Sequence, residues 1–330
     1  MDESKKNETT GGQLELVLES LLPPIRRENS RYPALFTRVP LFTPVKDRSK
    51  DNSFDPAKPA IYEADGFKIT RIGEGLSVYD EDTLIAILQL AAEKSIKGNP
   101  SAINQRLLPV PDAEPSLKPA TVEGWTVEEV WIGNASPYMI NTFLDRGTGG
   151  GQLKQCLESI KRLSRTVLVL SSDHVKRDRN MIFFELVNDH SEHGKAFVKI
   201  NATMVHLLRD YAVIDVRIRK ELTDVGKSLH RFLCGSAQEF VYSLEELQKH
   251  LGYKGSAADF KRALIGRKST DSKPGLPNQL EILKEKGWLL DYRISGTGRS
   301  SPIVLWGKKA QPTLFLDQSG QNTTKVLAAE

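Results

Sequence analysis

The 330-residue chain is poor in the features that mark several large protein classes. It has two cysteines, Cys156 and Cys234, far apart and each inside an apolar helical pattern, so they read as reduced core thiols rather than a disulfide framework or a metal site. No stretch approaches the roughly 18–20 apolar residues that a membrane span needs. The N-terminus, MDESKKNETT, lacks the apolar core of a signal peptide, and the expected location is cytoplasmic. The glycines at 147–151 (GTGGG) form neither a GxxxxGK(S/T) phosphate loop nor a GxGxxG fingerprint, and they read as a turn. His190 and His193 are spaced as H-x-x-H but lie in the polar run NDHSEHGK with no cysteine nearby, which favours a surface loop over a metal site. No His-hydrophobic-His triplet accompanies Tyr211, which argues against a metal-dependent DNA-nicking enzyme. The expectation is a non-enzyme with no cofactor and no metal.

What remains is ordinary core material and unevenly placed charge. Apolar residues make up 39 % of the chain, enough for real cores. Residues 1–130 carry 16 Lys and Arg against 21 Asp and Glu, whereas residues 251–310 carry 12 against 5. A basic C-terminal region on a nearly neutral chain suits a polyanion, although a solvated face without a partner would look the same by charge alone.

Organisation follows from punctuation and periodicity. Residues 1–30 read as a flexible tail with a short amphipathic stretch, QLELVLESLL, and residues 311–330 as a second tail. Residues 98–124, with five prolines, read as an extended loop. Between the tails, AIYEADGFKITRI is a hairpin turned at Asp65-Gly66. Asp80 is placed as the N-cap of EDTLIAILQLAAEK. VEEVWI reads as a short strand, SPYMINTFLD as a helix, and RGTGGG as a turn. GQLKQCLESIKRLSR is then a regular helix, anchored by Leu153, Cys156, Leu157, Ile160 and Leu163. TVLVLSS and NMIFFELV follow as strands around SDHVKRDR.

The second half repeats that order. KAFVKI is a strand, NATMVHLLRDY a short helix, VIDVRIRKEL partly extended and DVGKSLHRFLCG a helix. Ser243 and Glu246 form a capping box for LEELQKHLG, YKGS is a turn, and SAADFKRALIGRK is the next helix. LPNQLEILKEKGW resumes helical spacing, and WLLDYRI and PIVLW are strands around SGTGRSS. Helix, turn, helix and hairpin is the order of a winged helix, in which one helix enters the major groove and the hairpin reaches the backbone or minor groove. The expected fold is therefore α+β, two tandem winged-helix (helix-turn-helix) domains with β-hairpin wings, at residues 31–195 and 196–310.

Groove reading needs Arg or Lys on base edges, and phosphate contacts need Lys, Arg and helix N-termini. The candidates in the first domain are Lys154, Lys161, Arg162 and Arg165 on the helix, with Lys176, Arg177 and Arg179 in the wing. Those in the second are Lys254 in the turn, Lys261, Arg262 and Arg267 on the helix, and Arg293 and Arg299 in the wing. Each alone could be an ordinary solvated side chain.

Four segments carry a resemblance: ALFT at 34–37 followed by a hairpin and YDEDTLIAILQLA; GGGQLKQCLESIKRLSRTVLVLSS; LTDVGKSLHRFLCG; and LEELQKHLGY with LPNQLEILKEKGWLL. In their order and spacing, over roughly residues 31–310, the chain resembles the replication initiators of iteron-bearing bacterial plasmids, of the RepC and TrfA kind. STDSKPG at 269–275 departs from that pattern by interrupting the second reading helix, and the 98–124 segment is longer than in those relatives. The resemblance implies binding to direct repeats of double-stranded DNA at an origin, opening of an adjacent AT-rich segment and recruitment of a host helicase or initiator. It also implies homodimers that limit copy number, with dimerisation in the first domain and the main base reading in the second. The alternative from the same residues is a winged-helix repressor that binds an operator and melts nothing.

Overall fold

The computed structural model describes residues 29–44, 59–64, 66–96, 121–122, 125–126, 131–132, 136–172, 179–190, 195–200, 204, 207–208, 210–235, 239–267, 275–296 and 301–307. The fold mixes helix and strand. The chain runs β1 (Asn29–Pro33), α1 (Ala34–Thr37), β2 (Phe42–Thr43), β3 (Ala60–Ala64), β4 (Phe67–Ile72), β5 (Leu76–Ser77) and α2 (Val78–Ile96). Short strands β6 (Thr121–Val122), β7 (Trp125–Thr126) and β8 (Trp131–Ile132) precede α3 (Pro137–Phe143) and α4 (Gly150–Arg165). Then come β9 (Val167–Ser172), β10 (Arg179–Ile182), β11 (Phe184–His190), β12 (Lys195–Ile200) and β13 (Tyr211–Asp215). The C-terminal part holds α5 (Val216–Glu221), α6 (Asp224–Cys234), β14 (Glu239–Ser243), α7 (Leu244–His250), α8 (Ala257–Ile265), α9 (Gln279–Glu285), β15 (Leu289–Ile294) and β16 (Pro302–Gly307).

Two apolar cores organise these elements. The first gathers Tyr32, Phe36, Phe42, Ile69, the apolar residues of α2, Ile160 and Leu163 of α4, and Phe183. It also takes Met204, Leu208, Ile214 and Val216. The second gathers Ile218, Leu222, Leu229, Leu247, Phe260, Leu264, Leu280, Leu283, Ile303 and Leu305. The division thus falls between Val216 and Ile218. The expected boundary at 195/196 instead cuts the antiparallel hairpin of β11 and β12, in which Phe184 pairs with Ile200 and His190 with Lys195. β13 is likewise claimed by the first core, because it pairs antiparallel with β1, Asn29 opposite Asp215 and Pro33 opposite Tyr211.

The expected helix over SPYMINTFLD and the expected hairpin of AIYEADGFKITRI both form. Ser136 caps α3 by accepting from the Met139 N–H, with Pro137 at the first helical position, where its missing N–H costs nothing. Gly66, at φ +74°, turns the β3–β4 hairpin. Asp80 is a correction. The helix starts at Val78, and Asp80 lies inside its first turn, where Oδ2 accepts from both the N–H and the hydroxyl of Ser77 at 2.8 Å. Leu276 is another correction: α9 begins at Gln279, capped by Asn278, and Leu276 exchanges two backbone hydrogen bonds of 2.9 Å with Arg267.

The two halves share an order of elements but not a sheet topology. In the first, β4, upstream of the helices, pairs with the first hairpin strand, β9, giving the order β10-β9-β4-β3. In the second, β14 pairs with the last hairpin strand, giving β14-β16-β15. Similar local patterns thus close onto different edges. The amphipathic stretch at 13–22, most of the 98–124 loop and the tail from 311 onward lie outside the described residues.

Candidate nucleic-acid interface

In the second half the helix pair α7–α8 is built from its caps inward. Ser243 and Glu246 form the expected capping box: the Ser243 hydroxyl accepts from the Glu246 N–H at 3.1 Å, and the Glu246 carboxylate accepts from the Ser243 N–H at 2.7 Å. The Ser243 N–H first, and then its hydroxyl, hold the Glu246 carboxyl below its ordinary range. Leu244, Leu247 and Leu251 are buried, and Gly252 at φ +70° ends the helix. Gln248 closes the turn by donating to the carbonyls of Tyr253 at 3.1 Å and Gly255 at 2.6 Å. Ser256 then caps α8 by accepting from the Asp259 N–H at 3.1 Å.

α8 is anchored by Phe260 and Leu264, both fully buried, and turns its charged residues outward. Arg262 is 55 % exposed and pairs with Asp259 at 3.0 Å. Lys254 is exposed in the turn. Lys261 donates to the Gly296 carbonyl at 3.0 Å, which ties α8 to the end of the β15–β16 hairpin. Arg293 is exposed on β15. Arg267 is half-buried, and its backbone bridge to Leu276 closes the base of the 268–274 segment, which lies outside the described residues, as does Arg299. The next helix, α9, presents mixed charge, with Lys284 paired to Asp291 of β15 at 2.8 Å. The net basic side of this half is therefore that of α8 rather than α9.

In the first half α4 is less open than its charge suggests. Cys156, Ile160 and Leu163 are fully buried, and burial pushes the Cys156 thiol up to about 12. Lys154 and Arg165 are exposed. Lys161 is 20 % exposed and lies 3.9 Å from Glu158. Arg162, expected on the open face, turns inward: Nε donates to Asp80 at 3.1 Å, and Nη1 lies 3.4 Å from Glu74. β9 and β10 pair as a hairpin, but at the edge of a four-stranded sheet rather than as a free-standing wing, and NMIFFELV is not one strand: it divides at Phe183 into β10 and β11, which join different sheets. Arg179 occupies β10 opposite Leu170. Its side chain, together with Lys176 and Arg177, lies outside the described residues.

The residues that sequence reasoning missed are buried ones. Asp80 was expected only to cap a helix, yet it and the adjacent Glu81 and Asp82 are 0, 0 and 4 % exposed. Buried carboxylates need partners, and these have them. Arg219 of α5 meets Glu81 at 2.9 Å and Asp82 at 2.8 Å. Arg231 of α6 meets Glu81 at 3.2 Å, and Lys227 of α6 meets Asp82 at 2.7 Å. Arg146 lies 3.4 Å from Asp82 and stacks on the Tyr79 ring. Burial alone would raise the Asp82 carboxyl, but Arg219, Lys227 and Arg146 outweigh it and hold the group well below the usual carboxylate range. The available signal was three acids in a row just ahead of the apolar run Leu84–Leu88.

Among the described residues no three His, Cys, Asp or Glu side chains are grouped as metal ligands, and no helix is long and apolar enough to cross a membrane.

No family model matches the chain, and no curated protein matches it. Two solved structures of domains 2 and 3 of RctB are similar to it. One has a TM-score of 0.44 at 12 % identity, covering 84 % of this chain and 99 % of that one. The other has a TM-score of 0.43 at 12 % identity, covering 77 % and 91 %. Likeness at that level leaves both fold and activity to be read from this chain's own side chains.

Proposed function

We propose that the chain binds double-stranded DNA sequence-specifically as a plasmid replication initiator, through two tandem winged-helix units. One observation carries the DNA-binding part: α7 and α8 are joined by a turn closed by Gln248, and α8 exposes Arg262 beside a hairpin held to it through Lys261. A helix anchored by Phe260 and Leu264, with cations on the opposite side, has what groove insertion requires. Arg262 suits a base edge, where a guanidinium can bond guanine O6 and N7 together. Lys254 and Arg293 suit phosphates on either side of it. In the first unit Lys154 and Arg165 are the open cations of α4, and they add backbone contacts there. The initiator role extends the binding: repeats are occupied, an adjacent AT-rich segment opens, and host replication proteins join. Self-association and helicase contact belong to this reading, which includes no bond-making chemistry.

The test starts from a random duplex library. Bound sequences are selected, and gel shifts then compare a selected duplex with a scrambled one across salt. Permanganate footprinting of the same complex follows. Specific, salt-dependent binding with reactive thymines beside the repeats supports the proposal. Specific binding with unreactive thymines, host factors included, points to a repressor. Equal affinity for both duplexes overturns sequence-specific binding altogether.

A further inference from the structure

Three successive residues at the start of α2 reach both halves of the molecule. Asp80 turns to α4, accepting from the Ser159 hydroxyl at 2.6 Å and from Arg162 Nε at 3.1 Å. Glu81 turns to the C-terminal half, where Arg219 and Arg231 lie 2.9 and 3.2 Å away. Asp82 binds Arg219 and Lys227 of that half, and Arg146 of the loop before α4. Successive helix residues point about 100° apart, so three in a row cover more than half the circumference. Because residues 80–90 of α2 are all buried, the three acids face different sets of neighbours, with Arg219 shared by Glu81 and Asp82.

A second, apolar contact fixes the same joint. Gly252, in the turn between α7 and α8, sits where a Cβ would come 2.8 Å from Pro40 Cβ and 2.9 Å from Thr43 Cγ2. At Gly235, which ends α6, a Cβ would overlap the Thr37 hydroxyl. The turn that positions α8 is therefore pressed directly on the 37–43 segment of the first half.

Apolar surfaces tolerate sliding, whereas buried ion pairs tolerate little. A buried pair contributes modest net stability, but separating it leaves an uncompensated charge. Such pairs therefore specify one arrangement among packings of similar energy.

We propose that Asp80, Glu81 and Asp82 are positioning residues: they fix the angle and separation between α4 and α8, so that the protein reads a DNA site of one set spacing. The spacing part rests on the DNA-binding function proposed above. The positioning part does not, and the two can be tested apart.

The experiment uses the full chain with two variants, Asp82→Asn and Lys227→Met. Lys227 is 18 % exposed, and its loss leaves Asp82 two other cations, so this variant decides the matter if Asp82→Asn does not fold. Nitroxide labels are placed at Gln155→Cys on α4 and Ala258→Cys on α8, both exposed. The native thiols Cys156 and Cys234 are raised by burial and react slowly. Pulsed electron paramagnetic resonance should give one narrow distance in the parent and a broadened distribution in both variants. Separately, the selected duplex is lengthened by single base pairs between the two halves of its hydroxyl-radical footprint. The parent should lose about tenfold in affinity per step, a 1.4 kcal/mol penalty. The variants should lose far less, while protecting each half as before. Narrow distances and unchanged spacing dependence in the variants overturn the proposal. If the parent shows no sequence preference, the DNA-binding function fails, and the label distances still decide the positioning role.

Discussion

Arg219 meets one oxygen of Asp82 with two nitrogens, Nη2 at 2.8 Å and Nε at 2.9 Å, and the two side chains are 2 and 5 % exposed. Asp82 lies on α2, whose apolar residues belong to the first core, and Arg219 follows Ile218 of the second, so this pair holds the halves together. Asp82→Ala leaves Arg219, Lys227 and Arg146 without a shared counter-charge. The expected loss is about 3–5 kcal/mol of stability, read as a fall in the urea midpoint. An unchanged midpoint would mean that the cations find other partners.

Acid should reveal the same pair. The folded Asp82 carboxyl is held below its unfolded value, so its stabilisation is complete above the unfolded value near 3.8 and is lost as pH falls toward the folded one. His230 acts at milder acidity. Burial first, and then repulsion from Arg219, push its imidazole well below 6.5. Its folded value is depressed, so stability is whole above pH 6.5 and declines as pH drops below it, because only the unfolded chain takes up the proton. Urea midpoints measured at about pH 7 and about pH 5 should differ in the parent and converge in His230→Phe. Equal slopes in the two proteins would assign the decline to another group.

How much of this could be read in advance depends on the range of the interaction. Ser136, the Ser243–Glu246 box and the turn at Gly66 act within a few residues, and the local sequence shows them. Arg162 does not read that way. Its charge argued for the open side of α4, but Asp80, 82 positions earlier, draws it in. The same holds for KAFVKI, which reads as a strand but whose partner β11 precedes it across the expected boundary. Periodicity gives the state of a strand and says nothing of which edge it joins, so the different sheet orders of the two halves were invisible too.

Arg162 also separates two kinds of basic residue on DNA. Arg262→Ala should weaken binding to the selected site by about 1–3 kcal/mol and relax preference at one base position. Lys254→Ala should weaken all sequences alike and lower the salt slope by about one unit. Arg162→Ala should leave the salt slope unchanged and reduce stability, because its guanidinium is engaged by Asp80 and Glu74. Gel shifts across a salt series, with melting curves of the same variants, distinguish all three. A reduced slope for Arg162→Ala would place that side chain on phosphate.

Two glycines isolate the joint between the halves. Gly252 and Gly287 both have positive φ, +70° and +74°, but only Gly252 has neighbours within 4 Å of an added Cβ. Gly287→Ala should cost about 1–2 kcal/mol, the price of the left-handed backbone alone. Gly252→Ala should cost measurably more, since Pro40 and Thr43 must also give way. Calorimetric melting of the two variants gives the difference directly, and equal losses would mean that the 40–43 segment yields freely.

The pairing of β1 with β13 bears on how the chain is made. Asn29 waits for Asp215, 186 residues downstream. At ~5–20 residues per second of synthesis, that wait lasts about ten to forty seconds. During it the acids of α2 also lack Arg219, Lys227 and Arg231, which emerge later still. The N-terminal half therefore leaves the ribosome as an open template and is sealed only when the C-terminal half arrives. A fragment ending near residue 195 would keep Arg162 on Asp80 and Arg146 on Asp82, but would leave Glu81 without a counter-charge and the β1 edge without a partner.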